Sequence, residues 1–311
     1  MNTTATPALS LVANRPRRWS ATRGMSYAFS ALAAGFVVVL VVLFVWQSIP
    51  AWRHEGMGFL SGKKWFFRQQ QFGALAMIYG TIVVSFIALL LAAPIGIGAA
   101  IFSAEFIPRR LRLAVKVLIE LLAGIPSVVY GLLGILFLRD WVYRALTPFD
   151  PLSGDTLLTA GILLAVMILP TVMTLCDDAL RDVPAAQRQA ARGLGLTQTE
   201  VVLSVCLPQA ARGMIAAVLL ALGRALGEAI AVFLVIGRQD NQWPANPFSL
   251  QPLIESGQTL TSKLASSETN IAYGDPLHWA AIVSLGLVLL VMTVTVTVIG
   301  TRLMRPREQH A

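Results

Sequence analysis

The sequence predicts an all-α integral membrane protein with six transmembrane helices and both termini in the cytoplasm. Hydrophobic residues make up 56% of the 311-residue chain and charged residues only 13%, with a mean hydropathy of +0.70. Soluble domains carry about 25% charged residues, so a water-soluble core cannot absorb this much apolar sequence. Six apolar runs are long enough to cross the hydrocarbon layer, which takes roughly 20 helical residues.

Each apolar run is bounded by polar residues, and three of them contain a proline. The first run is too long for a secretory signal, and bulky residues follow it where a cleavage site needs small ones, so we expect a retained anchor. Pro94 interrupts the second run, Gly124 and Pro126 interrupt the third, and Pro170 lies in the fourth. The predicted spans are residues 26–49, 74–102, 113–138, 157–176, 210–236 and 279–300.

Basic residues ahead of the first span predict its orientation, because Lys and Arg stay on the cytoplasmic side of membrane helices. These residues are Arg15, Arg17, Arg18 and Arg23. Six spans then return the C-terminus to the same side.

The polar external loop at residues 238–276 is either a docking or gating element or a mere connector. The predicted parts are a cytoplasmic tail (1–24), a transmembrane domain (25–301) with a cytoplasmic loop (182–208) and an external loop (238–276), and a second cytoplasmic tail (302–311).

Charge and cysteine usage exclude several classes of function. The chain has a net charge of +8, but its basic residues flank the apolar runs and form no single patch, which argues against nucleic acid binding. Cys176 and Cys206 have no metal-like spacing and make no disulfide framework, and the three histidines are scattered, so we expect no metal site. No phosphate loop of the form G-x-x-x-x-G-K-[ST] occurs, so we expect no ATP hydrolysis by this chain.

The cytoplasmic loop between the fourth and fifth spans contains helix-forming and helix-ending signals in close succession. An Ala-rich stretch predicts a short helix that ends at Gly195. Thr197, with Glu200 three residues later, has the pattern of a capping box for a second short helix. Pro208 then marks the entry to the fifth span. We expect two short helices at a sharp angle, which either dock into a cleft of a partner or lie at the interface without one.

Three charged residues stand out within the predicted spans, where charge is costly and usually functional. Arg224 is near the middle of the fifth span, and Glu228, four residues later, is expected on the same helix face. Glu120 lies on the cytoplasmic side of the break in the third span. A guanidinium presents a planar fork of donors that suits phosphate. We predict an anion path in which Glu228 or Glu120 pairs with Arg224 until an anionic substrate competes for the guanidinium. The alternative is a buried ion network that only fixes the packing of the helices.

The third span adds further features to the predicted path. The helix breaks at Gly124 and Pro126 free backbone groups, which membrane proteins tolerate where the segment is buried in protein or lines a cavity. Ser127 and Tyr130 add hydroxyl groups just beyond these breaks. We therefore place both residues on the predicted substrate path.

Three strings resemble the membrane subunits of ATP-driven importers. Residues 189–195 (Gln189, Ala190, Ala191, then Gly195), followed by Leu207 and Pro208, are similar to the EAA loop of ABC importer permeases. The family has Glu where this chain has Gln189, which removes a charge but keeps a hydrogen-bonding side chain. Residues 120–131 and 222–231 resemble the matching stretches of Pst-type phosphate permeases, of which the C-type subunit is more similar in length and first span than the A-type.

The resemblance, over about residues 74–300, implies a type I ABC importer permease of MetI-like architecture in the bacterial inner membrane. It implies that the loop forms a coupling helix on an ATPase, with ATP and Mg²⁺ bound by that partner. It further implies a second related permease subunit, two ATPase copies and an external phosphate-binding protein. In the family, the residues that match Arg224 and Glu228 are regarded as important for transport.

Three other functions remain open at this point. A permease of the same architecture for another oxyanion (sulfate, molybdate or phosphonate) would use Arg224 equally well. An ion-coupled secondary transporter would use Glu120 and Glu228 as proton carriers, but it predicts inverted halves with paired broken helices, which the sequence does not show. A structural or signalling membrane subunit would transport nothing.

Overall fold

The structure is a computed structural model that describes residues 21–247 and 249–304. The chain divides into two units, Met1–Trp46 and Gln47–Ala311. Helix α1 (Ala21–Glu55) supplies all of the described part of the first unit. The side chains of this part are mostly apolar and almost all exposed, as expected of a helix that contacts lipid.

The two predicted tails lie largely outside the described residues. This holds for residues 1–20 and 305–311, including Arg15, Arg17 and Arg18 of the orientation argument. The cytoplasmic location of both termini therefore stays a prediction.

The second unit is mainly helical and contains one short antiparallel hairpin. Among the described residues of the chain, five helices are long and apolar enough to cross a membrane, and a sixth span results if the pair on either side of residues 124–126 counts as one. That pair bends by 86°. The elements are α2 (Gly58–Ser61), β1 (Trp65–Phe66), β2 (Gln71–Phe72), α3 (Leu75–Glu105), α4 (Arg109–Ala123), α5 (Ser127–Leu133), α6 (Arg139–Leu146), α7 (Leu157–Arg181), α8 (Ala185–Gly193), α9 (Gln198–Val201), α10 (Leu207–Leu226), α11 (Ile230–Val235), α12 (Leu260–Leu264), α13 (Glu268–Ala272) and α14 (Pro276–Met304), with π-helical turns at Gly134–Leu138 and Val202–Cys206.

Helices α3 and α7 run parallel and pack closely through glycines. A Cβ at Gly161 would lie 2.6 Å from Ile87 Cγ2, and one at Gly96 would lie 2.8 Å from Val172 Cγ1. Small residues let membrane helices approach in this way. Residue numbers at these contacts increase in the same direction along both helices. This parallel arrangement is expected of the second and fourth predicted spans, which cross the membrane in the same direction.

Helix α10 runs antiparallel to α14. A Cβ at Gly300 would lie 3.2 Å from Leu219 Cβ, and one at Gly223 would lie 2.8 Å from Thr297 Oγ1. The end of α14 is therefore on the same side as the start of α10, as six alternating spans require.

The second unit has two polar ends. We call one the loop end, where α3 and α7 finish and α8 and α9 follow. We call the other the cap, residues 58–72 and 238–278, which lies at the beginning of α3: the backbone N–H of Leu260 donates to Thr81 Oγ1 at 2.9 Å. Phe59, Trp65 and Phe72 pack in one buried cluster with Leu260 and residues of α13 and α14. The predicted external loop is thus a folded element with its own helices, α12 and α13.

The structure corrects two expectations about the fifth span. First, α9, the π-helical turn and α10 form one helix over Gln198–Leu226, so Pro208 does not mark a new helix. The π-helical turn just before Pro208 relaxes the i−4 hydrogen bonding that proline disrupts. Second, this span is not continuous, because residues 227–229 separate α10 from α11. Glycine disfavours helix here, and the N–H groups of Gly227 and Glu228 make tight i−3 bonds that close the last turn.

Candidate functional site

The breaks in the third and fifth spans lead into helices that lie against each other. Helix α5 packs on α11, where a Cβ at Gly131 would lie 2.5 Å from Leu234 Cδ1 and 3.2 Å from Ala231 Cα. The sequence predicted the break at Gly124 and Pro126, and the structure confirms it between α4 and α5. It did not predict the second break. Non-helical backbone at membrane depth is tolerated where it is buried or lines a cavity.

Tyr130 connects the two breaks. Its hydroxyl donates to the carbonyl oxygen of Leu122 at 2.9 Å, across the interruption, and the same carbonyl also accepts from the N–H of Ile125 at 3.2 Å. The ring is buried in the cluster that contains Ala225 and Ala231, which flank the second break. Ser127, the other predicted hydroxyl, is half-buried at the first position of α5. Tyr130 thus stabilises the geometry of the first break and packs against the second.

Arg224 lies in the last turn of α10, and its side chain is exposed. Its Nη1 donates to Thr171 Oγ1 at 3.2 Å, and its charge interacts electrostatically with the Tyr130 hydroxyl. Within residues 21–247 and 249–304, Arg224 forms no ion pair. Most of its five donors therefore remain available to a ligand.

The two glutamates do not hold Arg224 in this conformation, contrary to expectation. The i to i+4 relation places Glu228 on the face of Arg224 only in a continuous helix, and α10 ends at Leu226. Glu228 instead lies just before α11, where its Oε1 accepts from the backbone N–H of Ala231 at 3.5 Å. Glu120 is exposed in the last turn of α4. The structure therefore groups Arg224 with Tyr130 and a residue that the sequence analysis missed, Thr171.

Thr171 could have been suspected from its position directly after Pro170, inside an apolar span. Its hydroxyl holds one nitrogen of a guanidinium whose charge and fork suit a bidentate oxyanion. Across the described part of the chain, no group of three or more His, Cys, Asp or Glu side chains could hold a metal ion. The chemistry that this site offers is reversible binding of an anion between two broken helices.

The loop end carries the second predicted group of residues. Gln189 and Ala190 are exposed on α8, and Ala191 is buried in the cluster that contains Val201 and Ala210. The predicted capping box is confirmed: the Thr197 side chain accepts from the Glu200 N–H, and Glu200 Oε2 accepts from the Thr197 N–H at 2.8 Å.

Gly195 forms the turn between α8 and α9. Its φ of +84° lies in the left-handed region, which favours glycine, and the N–H of Leu196 donates back to the carbonyl of Ala191 at 3.3 Å. Of the two residues at the predicted entry to the fifth span, Leu207 is half-buried and Pro208 is exposed. The predicted pair of helices in this loop is confirmed, although the second one continues into α10.

The chain is similar to transport proteins over most of its length. The family described as binding-protein-dependent transport system inner membrane component matches residues 92–307. The phosphate transport system permease protein PstC of Mesorhizobium japonicum is 36% identical over 307 residues, which is 91% of this chain and 90% of that protein. The protein of the same name from Pasteurella multocida is 36% identical over 300 residues, or 91% and 89% of the two chains.

Two solved ABC transporters share the fold. A chain of the bacterial alginate ABC transporter aligns with a TM-score of 0.58 and 15% identity, over 93% of this chain and 97% of its own. A chain of the inward-facing MetNI methionine ABC transporter aligns with a TM-score of 0.52 and 18% identity, over 75% and 95%. The chain therefore belongs to the binding-protein-dependent transport system inner membrane component family, within its PstC group of permease proteins.

Proposed function

We propose that this chain is the membrane-spanning permease of an ATP-driven importer for inorganic phosphate in the bacterial inner membrane. The observation that carries the proposal is the exposed guanidinium of Arg224 beside two helix breaks, which has no ion-pair partner in the part of the chain that the structure describes, in a chain whose relatives are phosphate permeases. Thr171 orients the guanidinium, and its remaining donors bind the passing oxyanion. Glu228 and Glu120 lie close to the breaks along the chain and shape the field around the path.

The rest of the importer is supplied by other chains. A second related permease completes the path, an external phosphate-binding protein delivers substrate, and two copies of an ATPase bind ATP and Mg²⁺. In this arrangement the loop end and both termini face the cytoplasm. Gln189 and Ala190 contact the ATPase, while Ala191 fixes α8 to the permease. Because Gln189 is neutral, this contact uses hydrogen bonds in place of an ion pair.

Phosphate uptake at low external concentration tests the proposal. We expect cells without this chain to lose an uptake of radiolabelled phosphate that excess unlabelled sulfate does not inhibit. Unchanged phosphate uptake would contradict the proposal and would favour another oxyanion or a non-transport role. Phosphate uptake that persists when ATP is depleted but a proton gradient is kept would favour an ion-coupled transporter, for which the two broken helices are the supporting observation.

Replacement of Gly195 by Ala is expected to weaken binding of the ATPase. The left-handed conformation at Gly195 costs a residue with a Cβ about 1–2 kcal/mol, so we expect affinity to fall about 5- to 30-fold. Gly193→Ala is the matched control, since no atom lies within 4 Å of the added Cβ at either position and Gly193 does not adopt a positive φ. Co-purification of the ATPase at graded concentrations measures the difference. Equal binding by the two variants would count against docking by this loop.

A further inference from the structure

The side chain of Glu105, the last residue of α3, is almost completely buried at the loop end, with 3% of its surface exposed. Its Oε1 pairs with Arg188 Nη1 of α8 at 2.5 Å, and its Oε2 accepts from Gln198 Nε2 of α9 at 3.0 Å. Both oxygens of a buried carboxylate are therefore satisfied, and by residues of the two helices that form the loop. A buried charge is retained only where it is paired and hydrogen-bonded in this way.

Two further bonds extend this cluster. Arg188 Nη2 donates to the carbonyl oxygen of Leu180 near the end of α7 at 2.5 Å. Arg192 donates to Gln198 Oε1 at 2.5 Å, which links α8 to α9 directly. We call these residues (Glu105, Arg188, Arg192 and Gln198) the clamp. The clamp fixes both loop helices to the ends of α3 and α7.

The clamp is bonded, through Arg188 and the carbonyl of Leu180, to α7, the helix that also carries Thr171 of the candidate anion site. Leu180 is nine residues after Thr171, which corresponds to about 14 Å along α7. The same helix packs closely against α3 from Gly161 to Val172, so we expect α3 and α7 to move together. Only residues 182–184 join α7 to α8 along the chain, and beside the apolar packing of Ala191 and Val201 the clamp supplies the polar bonds between the loop helices and the ends of α3 and α7.

We propose that Glu105 is the positioning residue that couples the loop at 182–208 to the transmembrane helices. Through Arg188 and Gln198 it makes a displacement of α8 and α9 move α3 and α7 together, and with them the hydroxyl that holds Arg224. This inference rests on the proposed function, since it assumes an ATPase that pushes the loop. It differs from the docking role, because Glu105 is buried behind the loop and does not face the ATPase.

Glu105→Gln tests this role in the complete importer reconstituted in vesicles. The change keeps the size of the side chain and removes the charge that binds Arg188. We expect the phosphate moved per ATP hydrolysed to fall about 2- to 30-fold, with the ATPase still bound. The double variant Glu105→Arg with Arg188→Glu exchanges the two charges. We expect it to recover part of the ratio of phosphate moved to ATP hydrolysed that either single change lowers. The control is Asp178→Asn, an exposed acidic residue close to the end of α7.

Three results would overturn the proposal: an unchanged transport ratio in Glu105→Gln, loss of the ATPase from that complex, or an equal effect of Asp178→Asn. If the proposed function is wrong, the result differs, because the unaltered importer then moves no phosphate. In that case, the stimulation of ATP hydrolysis by the external binding protein provides the readout. We expect Glu105→Gln to reduce this stimulation, and an undiminished response would overturn the coupling role.

Discussion

Arg224→Gln is expected to lower phosphate uptake by about 100-fold or more, while the importer still assembles. The guanidinium is exposed next to two helix breaks, and one hydrogen bond to Thr171 uses only one of its donors. A glutamine supplies no charge to an oxyanion that must leave water before it enters the path. Uptake of radiolabelled phosphate, normalised to the amount of intact complex, measures the effect.

Two variants make this result specific. Arg212→Gln changes an exposed arginine on the same helix, and we expect near-normal uptake because Arg212 lies 12 residues, or about 18 Å, before the site. Arg224→Lys keeps the charge but loses the fork that binds two oxygens at once, so we expect partial activity. Normal phosphate uptake by an intact complex with Arg224→Gln would contradict the predicted anion path. Assembly that fails only in Arg224→Gln would favour the alternative in which Arg224 fixes helix packing.

Local signals in the sequence predicted the features that depend on local structure. The break at Gly124 and Pro126, the turn at Gly195 and the capping box at Thr197 are all present, because residues adjacent in sequence determine each of them. The six apolar runs likewise correspond to the membrane-spanning helices, if the bent pair counts as one span.

Features that depend on distant contacts were not predicted. Glu105 was not singled out, because its partners Arg188 and Gln198 are 83 and 93 residues away. The hydrogen bond from Arg224 to Thr171 joins two spans in the same way. The break between α10 and α11 was missed for another reason. Gly227 is followed by good helix formers, and a glycine in an apolar span is equally typical of a site of close helix packing.

The cap contains a buried cation that is paired with two carboxylates. Lys263 is 1% exposed, its Nζ lies 2.6 Å from Asp240 Oδ2, and it also pairs with Glu268 Oε2. Glu268 Oε1 in turn accepts from Trp65 Nε1 at 2.5 Å and makes a hydrogen bond with His278 Nε2 at 2.8 Å. One lysine thus links residues 238–278 to the hairpin at 65–72.

Burial and hydrogen bonding act in opposite directions on the two carboxyl groups. Burial raises the pKa of Asp240 above its usual value, and Lys263 only partly offsets this. Burial also acts to raise the pKa of Glu268, but hydrogen bonds from Lys263, Trp65 and His278 outweigh it and hold that pKa below its usual value. Because its folded-state pKa is lowered, Glu268 contributes stability that is present above the ordinary pKa of 4.5 and is lost as the pH falls below it.

Lys263→Met is therefore expected to destabilise the cap by about 3–5 kcal/mol, because two buried carboxylates lose their shared cation. Protease cleavage within residues 238–276 of the purified protein should rise by about 100-fold or more at neutral pH. The difference in cleavage rate between the variant and the unaltered protein should shrink as the pH falls. Protonated carboxyl groups are neutral, so the loss of the lysine charge then costs less stability. Lys64→Met, at an exposed lysine beside Trp65, is the control and should leave cleavage unchanged. Equal cleavage of both variants would mean that apolar packing around Phe59 and Leu260 holds the cap without the ion pairs.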